Sequence, residues 1–167
     1  MTTSLKIQPG WRFLLSHPAH LLSFGFGSGL SPKAPGTAGT LAAYPLFGLL
    51  WLLHLNLYAY LAVVAVLFLA GIWFCGVTGR ALGVDDYGGI VWDEIVAMLL
   101  VLAYTPLSWP WFAAAFLLFR LFDIWKPFPI RYVDRHVHGG FGVMLDDLLA
   151  AGYALIVLKS GQWLLAA

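Results

Sequence analysis

The residues best able to do chemistry in this chain are its acids, and all but Asp134 fall into three groups. All eight Asp and Glu residues lie between Asp85 and Asp147. The first group is Asp85-Asp86-Tyr-Gly-Gly-Ile-Val-Trp-Asp93-Glu94. The second is Asp123, inside Phe119-Arg-Leu-Phe-Asp-Ile-Trp-Lys-Pro127. The third is Asp146-Asp147. Carboxylates gathered in one place repel, and desolvation near lipid raises the cost of their charge. A hard divalent cation removes both penalties. Mg²⁺ takes oxygen ligands and binds through a few carboxylates plus a substrate phosphate. Asp93, Glu94, Asp146 and Asp147 are therefore candidate ligands for Mg²⁺. Asp86, Glu94 and Asp123 are candidates for proton exchange or for a further ligand position. Which acid does which is open at this level.

The competing explanation is helix capping. An acid in a first turn satisfies free N–H groups and the helix dipole. Asp93-Glu94 and Asp146-Asp147 both qualify. Neighbours on a helix point about 100° apart, so within each pair one acid is expected to cap and the other to face the site. Capping does not explain Asp123, which falls near a helix C-terminus. Its bland alternative is pairing with Arg120 or Lys126, three residues away on either side.

Arg120 and Lys126 suit a phosphate. An arginine grips it with two parallel N–H bonds, and a lysine acts as a point charge. Ahead of the first apolar segment runs a glycine-rich stretch from Gly25 to Thr40 that contains Lys33, Gly36 and Thr37. Its backbone N–H groups can cradle an anion at a helix start. Lys33, Gly36, Thr37, Arg120 and Lys126 are the candidate substrate-binding residues. The glycine spacing matches neither a dinucleotide fingerprint nor a P-loop. A second glycine run, His138-Gly-Gly-Phe-Gly142, reads as a mobile lid ahead of Asp146.

The elements that hold these residues are apolar. Of 167 residues, 61% are hydrophobic and 10% charged. A soluble domain carries roughly 25% charged residues. Residues 41–79 contain no Asp, Glu, Lys or Arg, too long a run for one span of about 20 residues. Five helical segments follow: 40–53, with Pro45 near its start, then 57–77, 90–104, 111–125 and 146–165. The third and fourth are separate helices, because residues 90–122 as one helix would reach about 50 Å against a hydrocarbon core of about 30 Å. The chain is expected to be all-α, a polytopic membrane bundle of four to five membrane helices with interfacial loops. One domain covers residues 1–167, with 1–36 as a cytoplasmic or interfacial N-terminal part. Residues 1–26 lack the apolar core of a signal peptide.

Topology makes the acids coherent. With Lys6, Arg12 and Lys33 on the cytoplasmic side, as positive residues favour, the segments return Arg80, Arg120, Lys126, Arg131 and Arg135 to that side. Every acid then falls at or near a cytoplasmic helix end. A transporter would hold acids near the bilayer midplane in broken helices, so an ion-binding or transport protein is the second choice. A net charge of +1 gives no electrostatic case for nucleic acid. No obligate protein partner is evident. The single cysteine, Cys75, excludes an internal disulfide. Four residues separate it from Arg80, one too few for a thiolate phosphatase loop, so a buried apolar thiol is expected.

Four blocks together resemble the phosphatidylglycerophosphatase A family. They are Gly25-Phe-Gly-Ser-Gly29 with Ala34-Pro-Gly-Thr-Ala-Gly-Thr40, Ile90-Val-Trp-Asp-Glu94, Phe119 through Ile130, and Met144-Leu-Asp-Asp-Leu-Leu-Ala150. Thr40 stands where the family often has serine, which keeps the hydroxyl. The resemblance implies a Mg²⁺-dependent lipid phosphatase of the bacterial inner membrane, multi-pass, with its site facing the cytoplasm. It also implies a phospholipid substrate, phosphatidylglycerophosphate, converted to phosphatidylglycerol and inorganic phosphate within phospholipid biosynthesis. Neither the compact aspartate run of the CDP-alcohol phosphotransferases nor the Asp-x-Asp motif of the haloacid phosphatases occurs.

Overall fold

The computed structural model describes residues 9–166. What was expected of residues 1–8, including Lys6, lies outside them. The described residues form eight α-helices and one 3₁₀ stretch, with no strand among them: α1 Trp11–Leu14, α2 Pro18–Ser23, the 3₁₀ stretch Gly25–Leu30, α3 Pro35–Leu52, α4 Leu57–Leu82, α5 Trp92–Leu102, α6 Trp109–Trp125, α7 Ile130–His136 and α8 Gly139–Ala166. The all-α expectation holds. Among the described residues, α4 and α8 are the helices long and apolar enough to cross a membrane.

Local chemistry sets the boundaries. Asn56 caps α4 by accepting from the Ala59 N–H at 2.9 Å, and Gly83 ends it in the left-handed region at φ 69°. Lys126 ends α6 in that same region at φ 45°, and Pro127 prevents its continuation. The break expected at residues 54–56 and the hairpin expected between the third and fourth segments are both present. Helix α5 supplies the bundle centre. Of its eleven residues all but Glu94 and Leu100 are buried, and it packs against α3, α4, α6 and α8. It is about 16 Å long at 1.5 Å per residue, short of a full span.

Helix α4 runs to Leu82, five residues past the expected end, and α3 and α8 both start earlier than expected. Helix α3 begins at Pro35, not Thr40, so the last part of the glycine-rich stretch, from Pro35 to Thr40, is helical. Proline at the first helical position brings a preset φ and lacks only an N–H that would have had no partner. The Thr40 hydroxyl bonds back to the Gly36 carbonyl at 2.9 Å, as it does only within a helix. Pro45 consequently sits in the helix interior, where it leaves the Leu41 carbonyl without its usual donor.

Helix α8 begins at Gly139, seven residues before Asp146. The lid reading of residues 138–142 is thus wrong. These glycines are small for packing: a Cβ on Gly140 would strike the Ile72 carbonyl of α4, and one on Gly142 the Val137 carbonyl. Helix α7 was not anticipated, because it is a short amphipathic turn with no apolar run.

The outside of the bundle is apolar. Leu49, Leu52, Val66, Leu69, Trp73, Leu117, Leu121 and Ile156 are all more than half exposed. On a water-soluble monomer this would be a contiguous aggregation hazard. Against lipid it is the expected finish. Cys75 is fully buried, as expected, with Met144 against its thiol.

Candidate active site

Because the long helices alternate in direction, one end of the bundle collects the N-termini of α3 and α5, the C-termini of α4 and α6, α7 and the first third of α8. That arrangement brings the three acidic groups together.

The centre is a trio. Oxygens of Asp93, Glu94 and Asp147 lie within 4.8 Å of one another, close enough for one ion to touch all three. Asp93 Oδ1, Glu94 Oε2 and Asp147 Oδ2 are buried and have no hydrogen-bond partner. Buried acceptors are almost always satisfied, and three orphaned carboxylate oxygens converging on one point fit an all-oxygen cation site. The trio can hold a metal ion. Asp93 and Glu94 both join it, so the expectation that one caps α5 while the other faces the site is not met. The longer side chain of Glu94 makes up for its 100° offset.

Arg120 stands beside the trio. Its Nη1 lies 2.5 Å from Asp123 and 3.6 Å from Glu94 Oε1. Its Nε is buried with no partner. Asp123 therefore does form the bland i,i+3 pair with Arg120, and that pair orients the guanidinium. Helix α3 closes the same wall. A Cβ on Gly36 would collide with Glu94 Oε1 and would come within 3.0 Å of Arg120. Gly36 and Thr37 occupy the first turn of α3, whose free N–H groups carry the positive end of the helix dipole.

Asp146 turns away from the trio. On α8 it points about 100° from Asp147 and pairs with Lys126 at 2.5 Å. Lys126 also pairs with Asp134 of α7 at 2.5 Å. Neither Asp146 nor Asp147 caps α8, since both lie two turns inside it. Burial disfavours the Lys126 charge, but Asp146 and Asp134 outweigh it and hold its pKa above the ordinary lysine value. Asp86 lies on the rim of this second cluster, in a small hollow with Asp134, His138 and Asp146. Burial pushes its pKa up, Lys126 opposes that, and Asp134 and Asp123 add to it. Lys33 lies on the exposed turn before α3, with its backbone carbonyl held by the Ser31 hydroxyl. None of the described ion pairs brings its ammonium to the acids. Asp134 is the partner sequence reasoning missed. No spacing signal reaches from Lys126 across the Pro127–Pro129 turn to α7.

An all-α bundle with two span-length apolar helices, exposed apolar flanks and a buried acidic trio facing an arginine fits the class of membrane-associated proteins, with side chains able to hold a metal ion beside an anionic group. More particularly, the chain belongs to the phosphatidylglycerophosphatase A family, which residues 21–161 match. It is 52% identical over 153 residues to the phosphatidylglycerophosphatase A of Haemophilus influenzae, covering 90% of this chain and 93% of the relative. It is 47% identical over 140 residues to that of Escherichia coli, covering 83% and 80%. A Bacteroides thetaiotaomicron protein that carries the provisional name phosphatidylinositol-3-phosphatase is 40% identical over 151 residues, covering 87% and 94%. No solved structure matches the chain.

Proposed function

We propose that this protein hydrolyses phosphatidylglycerophosphate to phosphatidylglycerol and inorganic phosphate with Mg²⁺. The observation that carries the reading is the trio of orphaned carboxylate oxygens beside Arg120 and the first turn of α3. It pairs a candidate cation site with a candidate anion site.

In this reading Asp93, Glu94 and Asp147 hold Mg²⁺. When bound, the ion polarises the phosphoryl oxygens and lowers the pKa of a coordinated water. Arg120 receives the phosphate through Nε and its terminal nitrogens, held in place by Asp123. The N–H groups of Gly36 and Thr37 meet the same phosphate and offset charge as the P–O bond to glycerol breaks. Water attacks phosphorus and the glycerol oxygen leaves. The proton lost by the water is taken up at a carboxylate, and the departing oxygen gains one. Asp86, in the hollow with Asp134, His138 and Asp146, is the carboxyl proposed for that second transfer. Lys126 and Asp146 hold the α7–α8 side of the site together. Lys33 lies outside these contacts and tracks the anionic membrane surface.

The apolar flanks of the bundle and the two span-length helices support a membrane reading. Residues 1–167 form one domain in which α3, α4, α6 and α8 cross or enter the bilayer and α5 is enclosed among them. The acidic end faces the cytoplasm of a bacterial inner membrane, because Arg12, Lys33, Arg80, Arg131 and Arg135 gather there. The partners are the substrate phospholipid and bulk lipid, with no nucleic acid and no obligate protein.

Phosphate release from phosphatidylglycerophosphate in detergent micelles tests the function. Release should require Mg²⁺, stop with chelator and return when Mg²⁺ is restored. A well-folded, Mg²⁺-supplied sample that releases nothing would overturn the assignment. Phosphatidylinositol 3-phosphate in the same assay reads head-group selectivity.

A further inference from the structure

The trio is not closed on every side. An apolar groove of about 380 Å³ runs between α4, α5 and α8, and Asp93 is the one charged residue lining it. Asp93 is 8% exposed, and its Oδ1 has no partner. An unpartnered carboxylate at the end of a greasy groove points to a ligand with a polar head and an apolar body.

Two hydrogen bonds place the groove along the bundle. The Trp92 indole N–H donates to the Leu67 carbonyl at 3.1 Å, so that part of α4 is level with the acids. The Tyr60 hydroxyl donates to the Leu99 carbonyl at 2.9 Å, one bundle layer further from them. Leu61 and Leu69 of α4 both line the groove, and at 1.5 Å per residue they span about 12 Å. The groove thus leads from the acidic end towards the opposite end of the bundle. Val96, Ala97 and Met144 form its buried floor, while Ala65 and Leu69 form an exposed rim on α4. Its opening is sideways, onto the surface that faces hydrocarbon.

The geometry points to a substrate acyl-chain site: the groove takes one fatty-acyl chain of the phospholipid whose phosphate lies at the trio. This rests on the proposed lipid phosphatase activity and adds how the lipid enters and is aligned. The phosphate cannot leave the polar end, and the chain cannot leave hydrocarbon. A groove that joins the two satisfies both without lifting the lipid out of the bilayer. A larger hollow of about 750 Å³ between α3 and α6 has no charged residue in its lining. It carries no such continuity and serves as the control.

The test uses the full chain in micelles with Mg²⁺ and two forms of phosphatidylglycerophosphate, one with oleoyl chains and one with hexanoyl chains. Ala65→Trp and Leu69→Trp each place an indole over the groove from its exposed rim. Ala113→Trp places the same bulk in the control hollow. We expect both groove variants to lower kcat/KM for the oleoyl lipid by about tenfold or more, equivalent to expelling some two methylenes from an apolar site. Hexanoyl turnover should stay within about twofold, which also reports a folded enzyme, and Ala113→Trp should leave both lipids unaffected. Equal effects on both lipids in both groove variants, or no effect on either, would overturn the groove. So would the same chain-length selectivity in Ala113→Trp. A wild type that hydrolyses neither lipid would instead overturn the activity, and the groove as a substrate site with it. A wild type active on both isolates the groove as the failing part.

Discussion

The two ends of this bundle are built from the same helices and could hardly differ more. At one end lie all eight acids and most of the bases, several of them buried in ion pairs or left with orphaned oxygens. At the other lie the 53–56 and 103–108 turns and the end of α8, finished with Trp51, Trp109 and Trp163. Among the described lysines and arginines, Lys159 is the one nearest that end. It bonds to Gln162 at 2.9 Å and stands over the Tyr104 ring at 5.6 Å. The difference teaches where this protein bears electrostatic strain. The far end has the aromatic finish of an interface belt and keeps the Lys159 side chain exposed. The near end concentrates like charges where desolvation is costly, which a fold tolerates at a functional site.

The sharpest way to break the comparison is to remove a member of the trio. Asp147→Asn should lower Mg²⁺-dependent phosphate release by on the order of 10³-fold. Mg²⁺ should also cease to raise its unfolding temperature, since a ligand stabilises only the state it binds. Thermal scans with and without Mg²⁺, beside the activity assay, check both. An unchanged Mg²⁺ response would take Asp147 out of the cation site.

Arg120→Lys keeps the charge and loses the planar fork. A fall in kcat/KM of roughly 10²-fold is expected from steady-state kinetics. Gly36→Ala comes next. The atoms its Cβ would meet are the ends of the Glu94 and Arg120 side chains, so the helix should form while the site is displaced. Activity should drop by about tenfold or more, although alanine is the better helix former. Wild-type activity in Gly36→Ala would show that α3 does not close the site wall.

Lys126→Met leaves Asp134 and Asp146 facing each other near Asp86. A loss of about 1 kcal/mol is expected after allowing for the partial exposure of these pairs, measured by denaturant unfolding in micelles. The smallest effect belongs to the far end. Lys159→Ala should change stability by less than about 0.5 kcal/mol and leave phosphate release unaltered. A large effect there would show that the quiet end is not quiet.

Much was readable in the residues themselves. The long uncharged run of residues 41–79 set the all-α class, because continuous apolar spans of about 20 residues suit helices, whereas barrel strands are shorter and alternate. The acids at segment ends, with segments alternating in direction, were enough to gather them at one end. Arg120 beside Asp123 was legible from an i,i+3 spacing.

The tertiary structure decided the rest. Which acids share a point depends on helix phase and side-chain reach between α5 and α8. Hence Asp147 joins Asp93 and Glu94 while its neighbour Asp146 turns to Lys126. The starts of α3 and α8 were hidden for a related reason. Gly36, Gly140 and Gly142 look locally like turn residues, yet each is glycine because another element passes where its side chain would be. A local pattern records how a residue biases its own backbone. It does not record what will be packed against it.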